Sequence, residues 1–223
     1  MSNLSQYLKS GNIRGLLVVI SGPAGSGKST IAEKLIEWSE GEVCRVVTAT
    51  TRAPRPGERD GVDYIFMTPE FFRERLRKND FVEYNLFNNN YYGTPRDSLE
   101  RHLAEKKIVV LVVDVNGAEA VHRQYPSCLR LFVLPPTPGV LRDRLTKRGT
   151  ESQQDIEARL KIAEDEITRM ETYDYLVIND KLENAVTDAL NIIKVSRSNH
   201  ICGGELSNWR NGQYAQWHSN TLE

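Results

Sequence analysis

The apolar run Leu16-Leu-Val-Val-Ile20 leads through Ser21 directly into Gly22-Pro-Ala-Gly-Ser-Gly-Lys-Ser-Thr30. No other stretch limits the fold so narrowly. The run reads as a buried strand. Ile31-Ala-Glu-Lys-Leu-Ile-Glu-Trp38 is compatible with a helix, so the glycines lie on a strand-to-helix turn. The spacing Gly22-x4-Gly27-Lys28-Ser29 fits a phosphate-binding loop, in which successive backbone N–H groups turn inward on phosphate oxygens. Glycine is required where a side chain would block that approach. Gly22, Pro23, Ala24, Gly25, Ser26, Gly27, Lys28, Ser29 and Thr30 therefore form the candidate polyphosphate cradle. Lys28 is expected to bridge the terminal phosphates and Ser29 to ligate Mg2+, with the helix N-terminus adding its partial positive charge.

A chain of 223 residues can bury one substantial core, and one main domain is the default. Charged residues at 26% and a formal charge of −1 argue against a general nucleic-acid or membrane surface, so any anion site must be local. Cys44, Cys128 and Cys202 are far apart and lack metal-ligand spacing, which fits a reducing compartment. Residues 1–15 lack the layout of a signal peptide and read as an N-terminal extension, and no apolar run reaches membrane-spanning length. The expected location is the cytoplasm.

Along the chain, Val43–Val47 offers a second short strand, and residues 49–63 are too rich in proline, glycine and arginine for a helix or central strand. Tyr64–Met67 looks like a short strand. Thr68-Pro69-Glu70 is a helix start: a cap residue, then proline at the first helical position, then an acid. Phe81–Phe87 alternates as a half-buried strand, Asn88–Asn90 turns, and Tyr91–Pro95 closes a small inserted subdomain spanning 49–97. A helix from about Arg96 to Lys106 precedes Ile108–Val115, an apolar run continuous enough for a strand buried on both faces of a parallel sheet. Helix at 116–123, strand at 128–134, charged helix from 138 to 173 broken at 147–150, strand at 175–178 and helix at 182–195 complete the pattern. Such alternation predicts a layered α/β domain. Beyond Ser196 periodicity lapses, and 196–223 is expected to be a mobile tail.

Two arginine sets accompany the loop. Arg52 and Arg55 sit on the breaker-rich segment, suited to bidentate capture of a phosphate or carboxylate, and Arg144, Arg148 and Arg159 lie in the charged helices. Together they suggest donor and acceptor phosphates. Over roughly residues 14–195 the sequence resembles a bacterial-type guanylate kinase. It matches that family's Thr-Thr-Arg-x-Pro-Arg-x-Gly-Glu at 50–58, Gly-x-Asp-Tyr-x-Phe at 61–66, Asn-Tyr-Tyr-Gly-Thr at 90–94, Arg-Gly-Thr-Glu at 148–151, and Asn179-Asp180. The resemblance implies an α/β P-loop NTPase core, a parallel sheet flanked by helices, built from 16–48, 98–137 and 168–195. It also implies that 49–97 is a GMP-binding subdomain and 138–167 a helical lid, both closing around the nucleotides.

The implied activity is reversible, Mg2+-dependent transfer of the ATP γ-phosphate to GMP or dGMP. Residue by residue, the similarity places Arg52, Arg55, Tyr64 and Tyr92 on the GMP phosphate, and Thr48, Glu83, Thr94 and Asp114 around the guanine. It adds Asn179 to the ATP side and gives Lys28, Arg52, Arg144, Arg148 and Arg159 the catalytic charges. Guanine presents two adjacent donors that one carboxylate can accept together, whereas adenine has an acceptor at N1, so Glu83 suits guanine on chemical grounds as well. The four histidines, at 102, 122, 200 and 218, are expected to be structural or surface residues. One departure from the family stands out: Val112 occupies a position that commonly carries an acid, and Asp114 with waters is expected to support Mg2+ instead. Two alternatives stay open. One is a non-catalytic module of the same fold that binds phosphopeptides through Arg52, Arg55 and Tyr64; the other is a kinase for another monophosphate. Oligomeric state cannot be read from the sequence.

Overall fold

The computed structural model describes residues 15–146 and 153–212, with only the backbone described for 153–156 and 198–212. Five parallel strands form the central sheet in the order β2-β7-β1-β8-β9: β1 Leu16–Ser21, β2 Val43–Arg45, β7 Ile108–Val112, β8 Leu129–Leu134 and β9 Tyr175–Ile178. β1 lies at the centre and is buried along its whole length, which is why its sequence is apolar without alternation. Leu16, Val18 and Ile20 face α1, Lys28–Trp38, and the final helix through Ile31, Leu35, Val186 and Ile193. Leu17 and Val19 face the opposite layer, where Leu99 of α3, Arg96–Ala104, and Val121 of α4, Val115–Gln124, complete the packing.

The inserted segment builds its own four-stranded sheet, ordered β4-β3-β6-β5, from β3 Ala49–Thr50, β4 Ile65–Phe66, β5 Phe81–Phe87 and β6 Asn90–Pro95. The expected cap is present: the Thr68 hydroxyl accepts from the Phe71 N–H at 3.2 Å and opens α2, Pro69–Arg77. On that helix Phe72 stacks on Phe81 at 4.3 Å between ring centroids and on Tyr91 at 5.1 Å. Gly93 leaves the room, since a Cβ there would stand 2.9 Å from the Phe81 ring and 3.0 Å from Phe72. Asn88 and Asn89 both take positive φ, 46° and 58°, as a tight β5–β6 hairpin turn of matching twist requires.

Two sequence boundaries are corrected. The run Ile108–Val115 is not one strand. β7 stops at Val112, and Asp114 turns the chain into α4 by accepting the Gly117 N–H at 2.7 Å, so a capping bond replaces the sheet ladder. The last helix, α7, also runs well past Val195, from Leu182 to Gly212. Its continuation is anchored, because Arg197 is 7% exposed and donates to Glu42 Oε2 at 2.9 Å and to the Lys106 carbonyl at 3.0 Å. Residues 1–14 of the extension and 213–223 of the tail lie outside the described residues. The remaining helices are α5, Pro138–Thr146, and α6, Gln153–Ile167, which pack together through Leu141, Leu145 and Ala163. Among the described residues no helix is long and apolar enough to cross a membrane.

Removing the Arg197 side chain takes away the donors to Glu42 and to the Lys106 carbonyl, made by a guanidinium on a residue only 7% exposed. Arg197→Ala is expected to cost about 1–3 kcal/mol of folding stability. Val195→Ala, at a neighbouring exposed position, is expected to stay within about 0.5 kcal/mol. Urea unfolding of the two variants beside the parent measures the difference.

Candidate active site

In open α/β sheets, ligands collect outside the strand C-termini where the strand order reverses, here above β1 between β7 and β8. The glycine loop sits there. Gly22, Gly25 and Gly27 have φ of 135°, 85° and 98°. A Cβ on Gly22 would collide with the Val133 carbonyl of β8, and one on Gly27 with the Asn179 side-chain amide. Close approach and backbone conformation thus both demand glycine. Asn179 Nδ2 donates to the Ser26 carbonyl at 2.8 Å, and Arg144 reaches the same oxygen at 3.5 Å while donating to the Asn179 carbonyl at 3.0 Å. Lys28 Nζ donates to the carbonyls of Gly22 and Pro23 at 2.6 and 2.9 Å. Gly27 supplies no capping side chain to α1, and its first turn holds no acid. These are the properties of a helix start that receives an anion.

Beside the loop lies a cleft of about 370 Å³ whose walls come from both sheets. It gathers Ser29, Thr48, Tyr64, Glu83, Tyr92, Thr94 and Asp114 from the residues singled out in the sequence. Glu83 reaches it through an irregularity in the ladder: Phe81 opposes Pro95 but Tyr84 opposes Gly93, so β5 carries one extra residue. Strand alternation buries the consecutive Phe81 and Val82 in different clusters, and the bulge breaks that alternation before Tyr84, where Glu83 faces the cleft. Side chains satisfy the carbonyls beside it, with Arg96 donating to Phe81 O at 3.0 Å and Gln124 to Val82 O at 2.6 Å. Arg52 stands over the Tyr64 ring at 5.3 Å, and Tyr64 meets Tyr92 edge-on at 6.1 Å. Arg55 is exposed on the same turn, and Arg159 is half-buried on α6. Arg148 lies outside the described residues.

A model of the family described as guanylate kinase matches residues 14–196. The chain belongs to the guanylate kinase family. It is 42% identical over 181 residues to the guanylate kinase of Oceanobacillus iheyensis, covering 81% of this chain and 87% of that one. To the guanylate kinase of Clostridium perfringens it is 44% identical over 175 residues, 78% of this chain and 81% of that one. The crystal structure of guanylate kinase from Anaplasma phagocytophilum superposes with a TM-score of 0.67 at 31% identity, covering 83% of this chain and 88% of that one.

Within this guanylate kinase fold, three residues at or beside the cleft have no role assigned from the sequence, although Glu58 closes the motif at 50–58. Glu58 holds Arg52, accepting from Nη2 at 2.7 and 3.0 Å, and also accepts the Arg55 N–H at 2.7 Å. Those bonds, first that from Arg52, draw its carboxyl below the usual range. The available signal was an acid shortly after two arginines in a turn. Asn85 donates to Asp114 Oδ2 at 2.8 Å across 29 residues, and no local signal announces it. Glu166, half-buried on α6, has its carboxyl pushed up by burial and pulled back by Lys28. Val112 is 37% exposed and lines the cleft without an oxygen to offer. Asp114, expected to support Mg2+, already accepts at both oxygens, from Gly117 and Asn85.

Glu83 is the strained group of the cleft. Burial pushes its carboxyl above the usual range, the Thr94 hydroxyl bond to Oε1 at 2.6 Å pulls it back, and nearby Asp114 pushes it up again. The folded state therefore holds this proton more tightly than the unfolded chain. For this group, stability is greatest below the ordinary carboxyl value of 4.5 and falls as pH rises through the raised value. Glu83→Gln, which removes the charge and keeps an acceptor for Thr94, is expected to be more stable than the parent at pH 8, with the gain shrinking as the pH approaches 4.5. Denaturant midpoints at several pH values report it.

Proposed function

We propose that the protein catalyses reversible transfer of the ATP γ-phosphate to GMP or dGMP, with the phosphate loop on the donor side and the second sheet holding the acceptor. The observation that carries this reading is the single cleft shared by Ser29 at the loop and by Glu83, Thr94 and Asp114 on the facing wall. Guanine's N1–H and exocyclic amine match the Glu83 carboxylate, and their bonds offset the desolvation that this acid suffers when ionised. An adenine would set a lone pair against a buried anion, the mismatch that sites built for hydrogen bonding reject most strongly. Arg52, fixed by Glu58 and stacked on Tyr64, together with Arg55, Tyr64 and Tyr92, takes the acceptor phosphate; Thr48 borders the base. Residues 49–97 thus form the GMP-binding subdomain and 138–167 the lid, closing on a core of 16–48, 98–137 and 168–195.

The acceptor is its own nucleophile. A phosphate monoester is mostly a dianion at neutral pH, its second pKa being about 6, so no general base is needed. What remains is to align two polyanions and to neutralise charge as it spreads over the moving phosphoryl group. Lys28 and the arginines 52, 144, 148 and 159 do this. Lys28 exchanges its carbonyl partners at Gly22 and Pro23 for phosphate oxygens, and Arg144 is already docked at Ser26, beside the loop. The donor set fits Mg2+ as nucleotide sites carry it. The Ser29 hydroxyl at the cleft joins the ATP phosphates and water, and among the described residues no group of three His, Cys, Asp or Glu forms a separate cage. Bound there, the ion would neutralise β- and γ-oxygens. The cytoplasm is the compartment we assign, supported by the free thiols of Cys44 and Cys128.

A coupled assay offering GMP, dGMP, AMP, CMP and UMP with ATP is expected to show turnover with the two guanine nucleotides. Preference for AMP or UMP would overturn the role given to Glu83. Glu83→Gln is expected to lower kcat/KM for GMP by about tenfold to a hundredfold, leaving the KM for ATP unchanged. Lys28→Ala is expected to lose at least about a hundredfold in kcat while GMP still binds by calorimetry. A phosphopeptide-binding module would instead give no turnover in the parent as well.

A further inference from the structure

Glu83 and Asn85 are two residues apart on β5, and both line the cleft. Asn85 Nδ2 donates to Asp114 Oδ2 at 2.8 Å, and Asp114 Oδ1 accepts the Gly117 N–H at 2.7 Å. The aspartate is therefore held at both ends, one oxygen by the helix it caps and the other by a residue of the second sheet. Gly117 marks how near the two acids come: a Cβ there would stand 3.4 Å from Asp114 Oδ1 and 3.5 Å from Glu83 Oε2. Two carboxylates this close repel, and an amide donor on one of them offsets part of that cost. An aspartate without that bond would keep only its capping oxygen fixed, leaving Oδ2 to turn away from its neighbour.

We propose that Asn85 is a positioning residue for the acceptor base: by holding Oδ2 it fixes the orientation of the Asp114 carboxylate beside Glu83, so that two oriented carboxylates meet the amino edge of a guanine. The inference rests on the ATP:GMP reading above. The bond also crosses from the four-stranded sheet to the N-cap of α4, just past β7 of the central sheet, so it ties the second sheet to the core at the base end of the cleft. Asn85 touches Asp114 rather than the transferring phosphate. Its loss weakens binding of the acceptor in ground and transition states alike, a signature carried by KM rather than kcat.

The test compares steady-state kinetics of the parent with Asn85→Ala, Asn85→Leu, which keeps the shape without the donor, and Asn85→Asp, which adds a third acid. Asn85→Ala and Asn85→Leu are expected to raise the KM for GMP about fivefold to tenfold, with kcat and the KM for ATP within about twofold. Asn85→Asp is expected to raise the KM for GMP further. Because Asn85 is exposed, thermal midpoints are expected to stay within about 2 °C. A GMP KM within twofold of the parent in both Asn85→Ala and Asn85→Leu, or equal losses for GMP and ATP, overturns the role of Asn85 and leaves the ATP:GMP reading standing. Absence of GMP turnover in the parent itself removes both.

Discussion

The carbonyl oxygen of Ser26 is the point on which the placement of the glycine loop depends. Asn179, 6% exposed at the end of β9, donates its amide to that oxygen, and Arg144 of α5 reaches it as well. A buried amide left without its acceptor would cost a few kcal/mol, so the last strand and the loop after the first are locked to one another. Gly27 makes the contact possible, since any side chain there would occupy the place of the Asn179 amide. The order β1-β8-β9 in the sheet follows the same need, setting residues 153 apart in sequence within hydrogen-bonding distance.

The wall of the cleft built by the second sheet rests on a different device. Phe81 and Val82 are both apolar and adjacent, and a regular strand would send them to opposite faces, only one of which could meet the α2 cluster. Val82 docks onto the core and Phe81 onto Phe72, and the extra residue in β5 then breaks the alternation, leaving Glu83 facing the cleft. Packing thus places an acid where water is scarce and another acid is near. The destabilised carboxylate is a liability in the empty fold and an asset toward a ligand with two adjacent donors. Arg52 shows the opposite arrangement, a cation paired to Glu58 and resting on an aromatic ring, stable before any phosphate arrives. One wall of the cleft is therefore electrostatically strained and the other relaxed.

Much of this was legible in the chain because it is local. A strand, glycine turn and helix follow one another without interruption, the Thr68-Pro69 cap and the Asn88-Asn89 turn are short-range chemistry, and the strand at 81–87 could be bounded to the residue. The errors came where a hydrogen bond overrides the apolar pattern, at short range or long. Asp114 reads as part of an apolar strand until its capping bond to Gly117 is seen, and α7 reads as ending near Val195 until Arg197 is found against Glu42, 155 residues away. Glu58 lies inside a segment noted for its arginines, yet nothing in spacing alone says that it forks one of them.

By itself, the sequence determined a strand, a glycine turn and a helix start at Leu16–Trp38 and an α/β sheet to carry them, because periodicity, glycine placement and helix starts act over a few residues. Only the tertiary structure decided which acids and amides face the cleft beside that turn. The burial of Glu83, the double tether on Asp114 and the lock between Asn179 and Ser26 arise from strands brought together across the chain. Desolvation and hydrogen-bond geometry have no value until those neighbours are in place.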